Sequence, residues 1–145
     1  MVGSFVKDIM KTPVLSIDSS MTVKDAAKMM EDVKVGSIVV TENSIVLGIL
    51  TERDFVRKIV AQEKSFSTKV KDVMSSPLIV ISPDETVWEL ASLMKTRRIH
   101  RVPVVDKGRL VGIASTADLT RLCSIGSDSE MSRLCEQILL RMKSS

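Results

Sequence analysis

Residues 97–119 read RRIHRVPVVDKGRLVGIASTADL, and 64 positions earlier residues 33–55 read VKVGSIVVTENSIVLGILTERDF. The two stretches agree at Val40 and Val104, at Gly48-Ile49 and Gly112-Ile113, and at Asp54 and Asp118. Each closes on a glycine, two apolar residues, a hydroxyl side chain, two variable positions and an aspartate. The same offset aligns Val6-Lys7-Asp8 with Val70-Lys71-Asp72, Met10 with Met74 and Pro13 with Pro77. It also aligns Thr22-Val23 with Thr86-Val87, Ala27 with Ala91, Met30 with Met94 and Arg57 with Arg121. So many identities at one offset define an internal repeat, which sets the frame for every local feature. Two copies of this length do not make a solenoid; each is a half-domain that buries its apolar face against the other.

Within a copy the pattern predicts β-α-β-β-α. VLSI (14–17) and LIVI (78–81) are short apolar runs suited to a strand. Thr22 with Asp25, and Thr86 with Glu89, are hydroxyl–acid pairs at capping-box spacing and mark helix starts. The helices carry apolar residues at Val23, Ala26, Ala27 and Met30, and at Val87, Leu90, Ala91 and Met94, one face of a 3.6-residue period. SIVVT (37–41) and RVPVV (101–105) read as second strands rich in β-branched residues. Asn43 and Lys107-Gly108 supply turns into third strands at 45–50 and 109–114. Each third strand runs into T-E-R-D or S-T-A-D and a last helix. The expected organisation is motif 1 at 6–60, a polar linker at 61–69, motif 2 at 70–123 and a helical tail at 124–145.

The 145 residues suit one ordinary domain or two small halves sharing a core. With 44% hydrophobic and 27% charged residues the chain is globular. Aromatics make up 3% with no tyrosine, so aliphatic residues and methionine fill the core and a base-stacking platform is disfavoured. The net charge of +3 is spread among acids; it permits anionic ligands without naming one. One histidine and two cysteines, Cys123 and Cys135, lack metal-ligand spacing, so no metal site is expected. The cysteines are expected to be reduced thiols, and no run of about 18 apolar residues occurs, so a cytoplasmic protein with no membrane association is expected. No phosphate-binding loop, nucleophile elbow or histidine–carboxylate pairing is present, and no enzymic activity is expected.

The two copies, opening V-K-D-[IV]-M-x-[ST]-P and closing G-[IL]-x-[TS]-x-x-D, resemble the CBS domain, named after cystathionine β-synthase. A tandem pair resembles a Bateman module, and the resemblance covers residues 6–123. It implies an α+β fold in which the two motifs pack through their sheets about a pseudo-two-fold, followed here by the C-terminal helix. It also implies clefts that take AMP, ADP, ATP, NAD or S-adenosylmethionine as regulatory ligands, with no cofactor required. Modules of this kind pair as homodimers and regulate a protein partner. Nucleic-acid binding through the basic surface is the alternative.

The chemistry of the repeated phrase fits that implication. Thr51 and Ser115 are helix caps, and a helix start offers backbone N–H groups to an anion. Asp54 and Asp118 suit the 2′- and 3′-hydroxyls of a ribose, which donate to a carboxylate. His100 and Arg101, at the entry to the second strand of motif 2, suit phosphate. Motif 1 has Gly36 and Ser37 at those positions, so the two sites are expected to differ. By resemblance, Thr51, Arg53 and Asp54 face Pro77, Leu78, Ile99, His100, Arg101 and Pro103. Ser115, Thr116 and Asp118 face Thr12, Pro13, Val14, Gly36, Ser37 and Ile38.

Overall fold

The computed structural model describes residues 5–75 and 79–125, with Arg133 and Glu136 beyond them. In chain order the elements are α1 (Val6–Ile9), β1 (Ser16–Asp18), α2 (Val23–Val33), β2 (Ser37–Glu42), β3 (Ile45–Thr51) and α3 (Glu52–Asp54). A π-helical stretch (Phe55–Val60) continues α3, and a 3₁₀ turn (Val70–Asp72) precedes α4 (Val87–Arg97), β4 (Arg101–Asp106), β5 (Arg109–Ser115) and α5 (Thr116–Ile125). The fold is α+β; the first copy follows the expected β-α-β-β-α pattern and the second follows it except for its first strand. Most of the tail expected at 124–145, and Pro77 and Leu78, lie outside the described residues.

Two compact units form, and each takes its opening segment from the other repeat. One gathers Met1–Pro13, Val80–Lys107 and Val111–Ser145; the other gathers Val14–Ile79 and Gly108–Leu110. The first core holds Val6 and Ile9 with Ile81, Val87, Leu90, Met94, Val102, Val104, Ala114 and Leu119. The second holds Val70 and Val73 with Ile17, Val23, Ala26, Met30, Ile38, Val40, Leu50 and Ile59. Burying a Val or Ile side chain contributes about 1.5–3 kcal/mol, so each borrowed segment is a substantial part of its core. The cores balance volume at matched positions. Leu90 and Ala114 occupy in one the places of Ala26 and Leu50 in the other, one large and one small residue each.

In the second unit β1 pairs parallel to β2 and β2 antiparallel to β3, with a bulge at Val40/Thr41. In the first unit β4 and β5 form a two-stranded sheet, and the expected strand before α4 is reduced to a single bridge from Ile81 to Val104. Two prolines account for the difference: Val39 N–H donates to the Leu15 carbonyl at 3.0 Å, and its counterpart in the repeat, Pro103, has no N–H to donate. Ser19 N–H donates to the Thr41 carbonyl at 2.8 Å and continues β1. Its counterpart in the repeat is Pro83, which has no N–H to donate, so the ladder stops at the Val105-to-Ile81 bond.

The glycine of the repeated phrase is a steric requirement. The backbone of the opening segment bridges to the third strand at Lys11–Ile113 and at Ser75–Ile49. A Cβ on Gly48 would lie 2.7 Å from Met74 Sδ and 2.8 Å from the Ser75 carbonyl oxygen. On Gly112 the three atoms nearest to a Cβ all belong to the Met10 side chain: Sδ first, then Cγ at 2.9 Å and Cβ at 3.2 Å.

Both helices are capped where the sequence predicts, but only α2 closes the full reciprocal box; at α4 the Thr86 hydroxyl caps without a return bond to Glu89. Asp25 N–H donates to Thr22 Oγ1 at 3.2 Å while Thr22 N–H donates to Asp25 Oδ2 at 3.2 Å, and Glu89 N–H donates to Thr86 Oγ1 at 3.1 Å. Val23, Ala26 and Met30 are buried as expected, whereas Ala27 is exposed at the edge of the stripe. The polar stretch 61–69 is tied down: Val23 N–H, an unpaired donor of the α2 first turn, reaches the Thr68 carbonyl at 2.8 Å, and Val70 N–H reaches that of Met21 at 2.9 Å. At Cys123 the expectation of a reduced thiol is corrected, because the residue is disulfide-bonded. A bridge depends on the approach of two Cα atoms in space, for which the sequence carries no spacing signal.

Two predictions follow from these contacts. Gly48→Ala destabilises by about 1–3 kcal/mol in urea unfolding, and Met74→Ala does not rescue it, because a backbone oxygen remains in the way. Gly112→Ala costs less, and Met10→Ala relieves it. The second concerns acid. The Thr22 hydroxyl first, and then its backbone N–H, hold the Asp25 carboxyl below its ordinary range. A depressed carboxyl adds stability that is present above its unfolded pKa and lost as pH falls through the folded one. Below about pH 4, wild type therefore loses stability that Asp25→Asn, already lacking the charge, does not lose, as acid titration of the unfolding midpoint will read.

Candidate ligand-binding site

Each unit places a buried carboxylate at the start of its last helix. Asp118 is 1% exposed and Asp54 is 7% exposed. In both, one oxygen is held by the cap. Asp118 Oδ2 accepts from Ser115 N–H at 2.8 Å and from Ser115 Oγ–H at 3.0 Å, and Asp118 N–H donates back to Ser115 Oγ at 3.2 Å. Asp54 Oδ2 accepts from Thr51 N–H at 2.9 Å and from Thr51 Oγ1–H at 3.2 Å, with Asp54 N–H returning to Thr51 Oγ1 at 3.4 Å. The capping reading is therefore correct for Thr51 and Ser115.

The other oxygen faces a cation. Asp118 Oδ1 lies 2.9 Å from Arg121 Nη2 and 3.9 Å from Lys11 Nζ. Asp54 Oδ1 lies 3.1 Å from Lys58 Nζ, and Ser75 Oγ–H approaches it at 3.5 Å. These partners were absent from the sequence-derived site. Arg121 and Lys58 are legible afterwards as cations one helical turn beyond an acid. Lys11 and Ser75 arrive on the borrowed opening segment, which no local pattern reveals.

The remaining expected site residues fall into three groups. His100, Arg101, Arg53, Thr12 and Pro13 are exposed, and Val14, Gly36, Ser37, Ile99 and Thr116 are half-buried. Ile38 and Pro103 are buried; Ile38 belongs to its unit's core, and the Pro103 carbonyl accepts from Ile81 N–H at 3.1 Å. Inside each unit the phrase sits beside its own repeat's second strand, a neighbour the sequence reading had not given it. Thr116 N–H donates to the His100 carbonyl at 3.0 Å, and Glu52 N–H to that of Gly36 at 3.1 Å. Two of the first three N–H groups of each helix start are thus committed within the protein, which narrows what is left for an anion. Among the described residues, no three His, Cys, Asp or Glu side chains gather as a metal site, and no helix is long and apolar enough to cross a membrane.

A duplicated βαββα half with a capped, buried aspartate at the same place in each copy defines a class of paired small modules. The CBS domain family matches residues 6–61 and 70–124, and the chain belongs to that family. It is 37% identical over 116 residues to the CBS domain-containing protein YhcV of Bacillus subtilis, spanning 80% of this chain and 83% of that one. The CBS domain pair of protein MJ0100, solved in complex with 5-methylthioadenosine and S-adenosyl-L-methionine, is 30% identical with a TM-score of 0.76, covering 83% of this chain and 96% of that one. The CBS domain protein PAE2072 of Pyrobaculum aerophilum, complexed with AMP, has a TM-score of 0.77 over 92% of this chain and 98% of its own; at 24% identity it speaks for the fold alone.

Removing either capping hydroxyl, by Thr51→Ala or Ser115→Ala, costs about 1 kcal/mol of stability. A double-mutant cycle of Ser115→Ala with Asp118→Ala, followed by urea unfolding, returns a coupling of about 0.5–3 kcal/mol; additive losses count against the reciprocal cap.

Proposed function

We propose that this chain is a regulatory module that binds an adenosyl compound and passes its occupancy to a protein partner through a change of shape. The observation that carries the reading is the duplicated pair of a hydroxyl cap and a buried aspartate, Thr51 with Asp54 and Ser115 with Asp118. In each pair the cap holds one carboxylate oxygen and leaves the other to a cation, and that second oxygen is the natural acceptor for a ribose hydroxyl. The 30% identity to a CBS pair solved with methylthioadenosine and S-adenosylmethionine supports the same ligand class. AMP, ADP, ATP and S-adenosylmethionine are the candidates, and a second copy of the module is the proposed homodimer partner.

The two carboxylates differ in company. The family resemblance sets the exposed pair His100 and Arg101, the charge suited to phosphate, with Asp54. It sets Gly36 and Ser37, which bring no cation, with Asp118, so the two sites are expected to differ in their preference for phosphate. Catalysis has no part in this reading. The nucleic-acid alternative rests on the basic run Lys95–Arg101 and the basic tail, and a net charge of only +3 with 3% aromatics speaks against it.

Calorimetric titration of adenosine, AMP, ADP, ATP and S-adenosylmethionine into wild type, Asp54→Ala and Asp118→Ala tests the proposal. Asp54→Ala is expected to lose AMP binding by about tenfold or more, one lost charge-assisted hydrogen bond, while Asp118→Ala loses less of it. No binding of any adenosyl compound, or equal losses in both variants, would overturn it.

A further inference from the structure

At both aspartates a single cation joins three things: the carboxylate, the last helix of the unit and the opening segment borrowed from the other repeat. Lys58 Nζ lies 3.1 Å from Asp54 Oδ1 and donates to the Val73 carbonyl at 3.1 Å and to Ser75 Oγ at 3.4 Å. Arg121 Nη2 lies 2.9 Å from Asp118 Oδ1 and donates to the Ile9 carbonyl at 3.4 Å. Ile9 and Val73 are the same position of the repeat, but the cations are not. Lys58 stands four residues after its aspartate and Arg121 three; the counterpart of Arg121 is Arg57, and that of Lys58 is Leu122. The two copies reach one junction from different positions with different side chains. Duplication of a residue does not produce that agreement; a shared geometric requirement does.

Two of the four places where the chain passes between units, Pro13–Val14 and Ile79–Val80, come a few residues after the opening segments that hold these junctions. We propose that Lys58 and Arg121 are latches. The aspartate oxygen outside the cap is shared between the latch cation and an incoming ribose hydroxyl, so ligand occupancy draws that oxygen away from the cation and loosens the opening segment at the crossing. The inference rests on the ribose reading above and supplies its regulation. The Asp54 latch is the weaker one. Asp118 is the more deeply buried and is faced by both Arg121 and Lys11, whereas Asp54 is faced by Lys58.

The test uses the whole chain and adenosine, which carries no phosphate for Lys58 to attract. Amide hydrogen exchange is followed at Val73, Met74 and Ser75, whose N–H groups donate to Val70, Val70 and Ile49 carbonyls. Calorimetry on the same samples reports occupancy. In wild type, adenosine is expected to speed exchange at these amides several-fold. Lys58→Met exchanges fast without ligand, shows no further change with adenosine and binds it at least as tightly as wild type; Lys58→Arg restores the ligand-dependent difference. The latch is overturned if ligand-free Lys58→Met exchanges like wild type, if bound adenosine leaves the three amides unchanged in wild type, or if Lys58→Met binds as weakly as Asp54→Ala. Failure of wild type to bind adenosine overturns the ribose reading instead, and is distinguished from the first of these outcomes because that comparison needs no ligand.

Discussion

The passage of a methionine and its backbone across a strand position that has no Cβ is the contact on which the rest depends. Met74 and Ser75 crowd Gly48, and Met10 crowds Gly112, within distances no side chain at those positions would tolerate. That approach lets the opening segment bridge to the third strand and drop Val6 and Ile9, or Val70 and Val73, into the core. It also brings Lys11 and Ser75 alongside the aspartates that begin the last helices. Fold and candidate site are therefore set by one close packing event, made twice.

The electrostatics follow from this packing. A carboxylate with 1% or 7% exposure is stable as an ion only when its oxygens are engaged. The cap engages one oxygen in each unit, and it does so with groups only three residues away, so it forms with the helix itself. The second oxygen is satisfied by longer, half-exposed cations, which exchange partners at lower cost than a backbone amide does. The division gives each aspartate one structural oxygen and one that is open to competition.

The repeat made most of the fold legible. Because identities recur at a single offset, strands, caps and hairpin turns could be read twice and checked against each other, and α2, α4, β2, β3, β4 and β5 lie where periodicity put them. The first strand of the second copy is shorter than its composition suggests: LIVI is apolar enough for a strand, but Pro103 and Pro83 each remove a donor and leave a single bridge. In the candidate site, the capping role of Thr51 and Ser115 was plain from spacing, while the partners of the aspartates were not. Arg121 and Lys58 could have been found from helical spacing; Lys11 and Ser75 could not, because they come from the opposite repeat and periodicity is silent about which core a segment joins.

That crossing has a consequence for how the chain can be divided. The stretch 61–69 is polar, carries turn residues and has the composition of a boundary. Cutting there would separate two complete copies of the repeat and leave neither with a complete interior. The fragment ending before it keeps Ile17, Val23 and Leu50 but loses Val70 and Val73; the fragment after it keeps Val87 and Leu90 but loses Val6 and Ile9. Duplication has here produced two sequence units that do not coincide with the two compact units of the fold, because each copy's opening segment completes the interior built on the other.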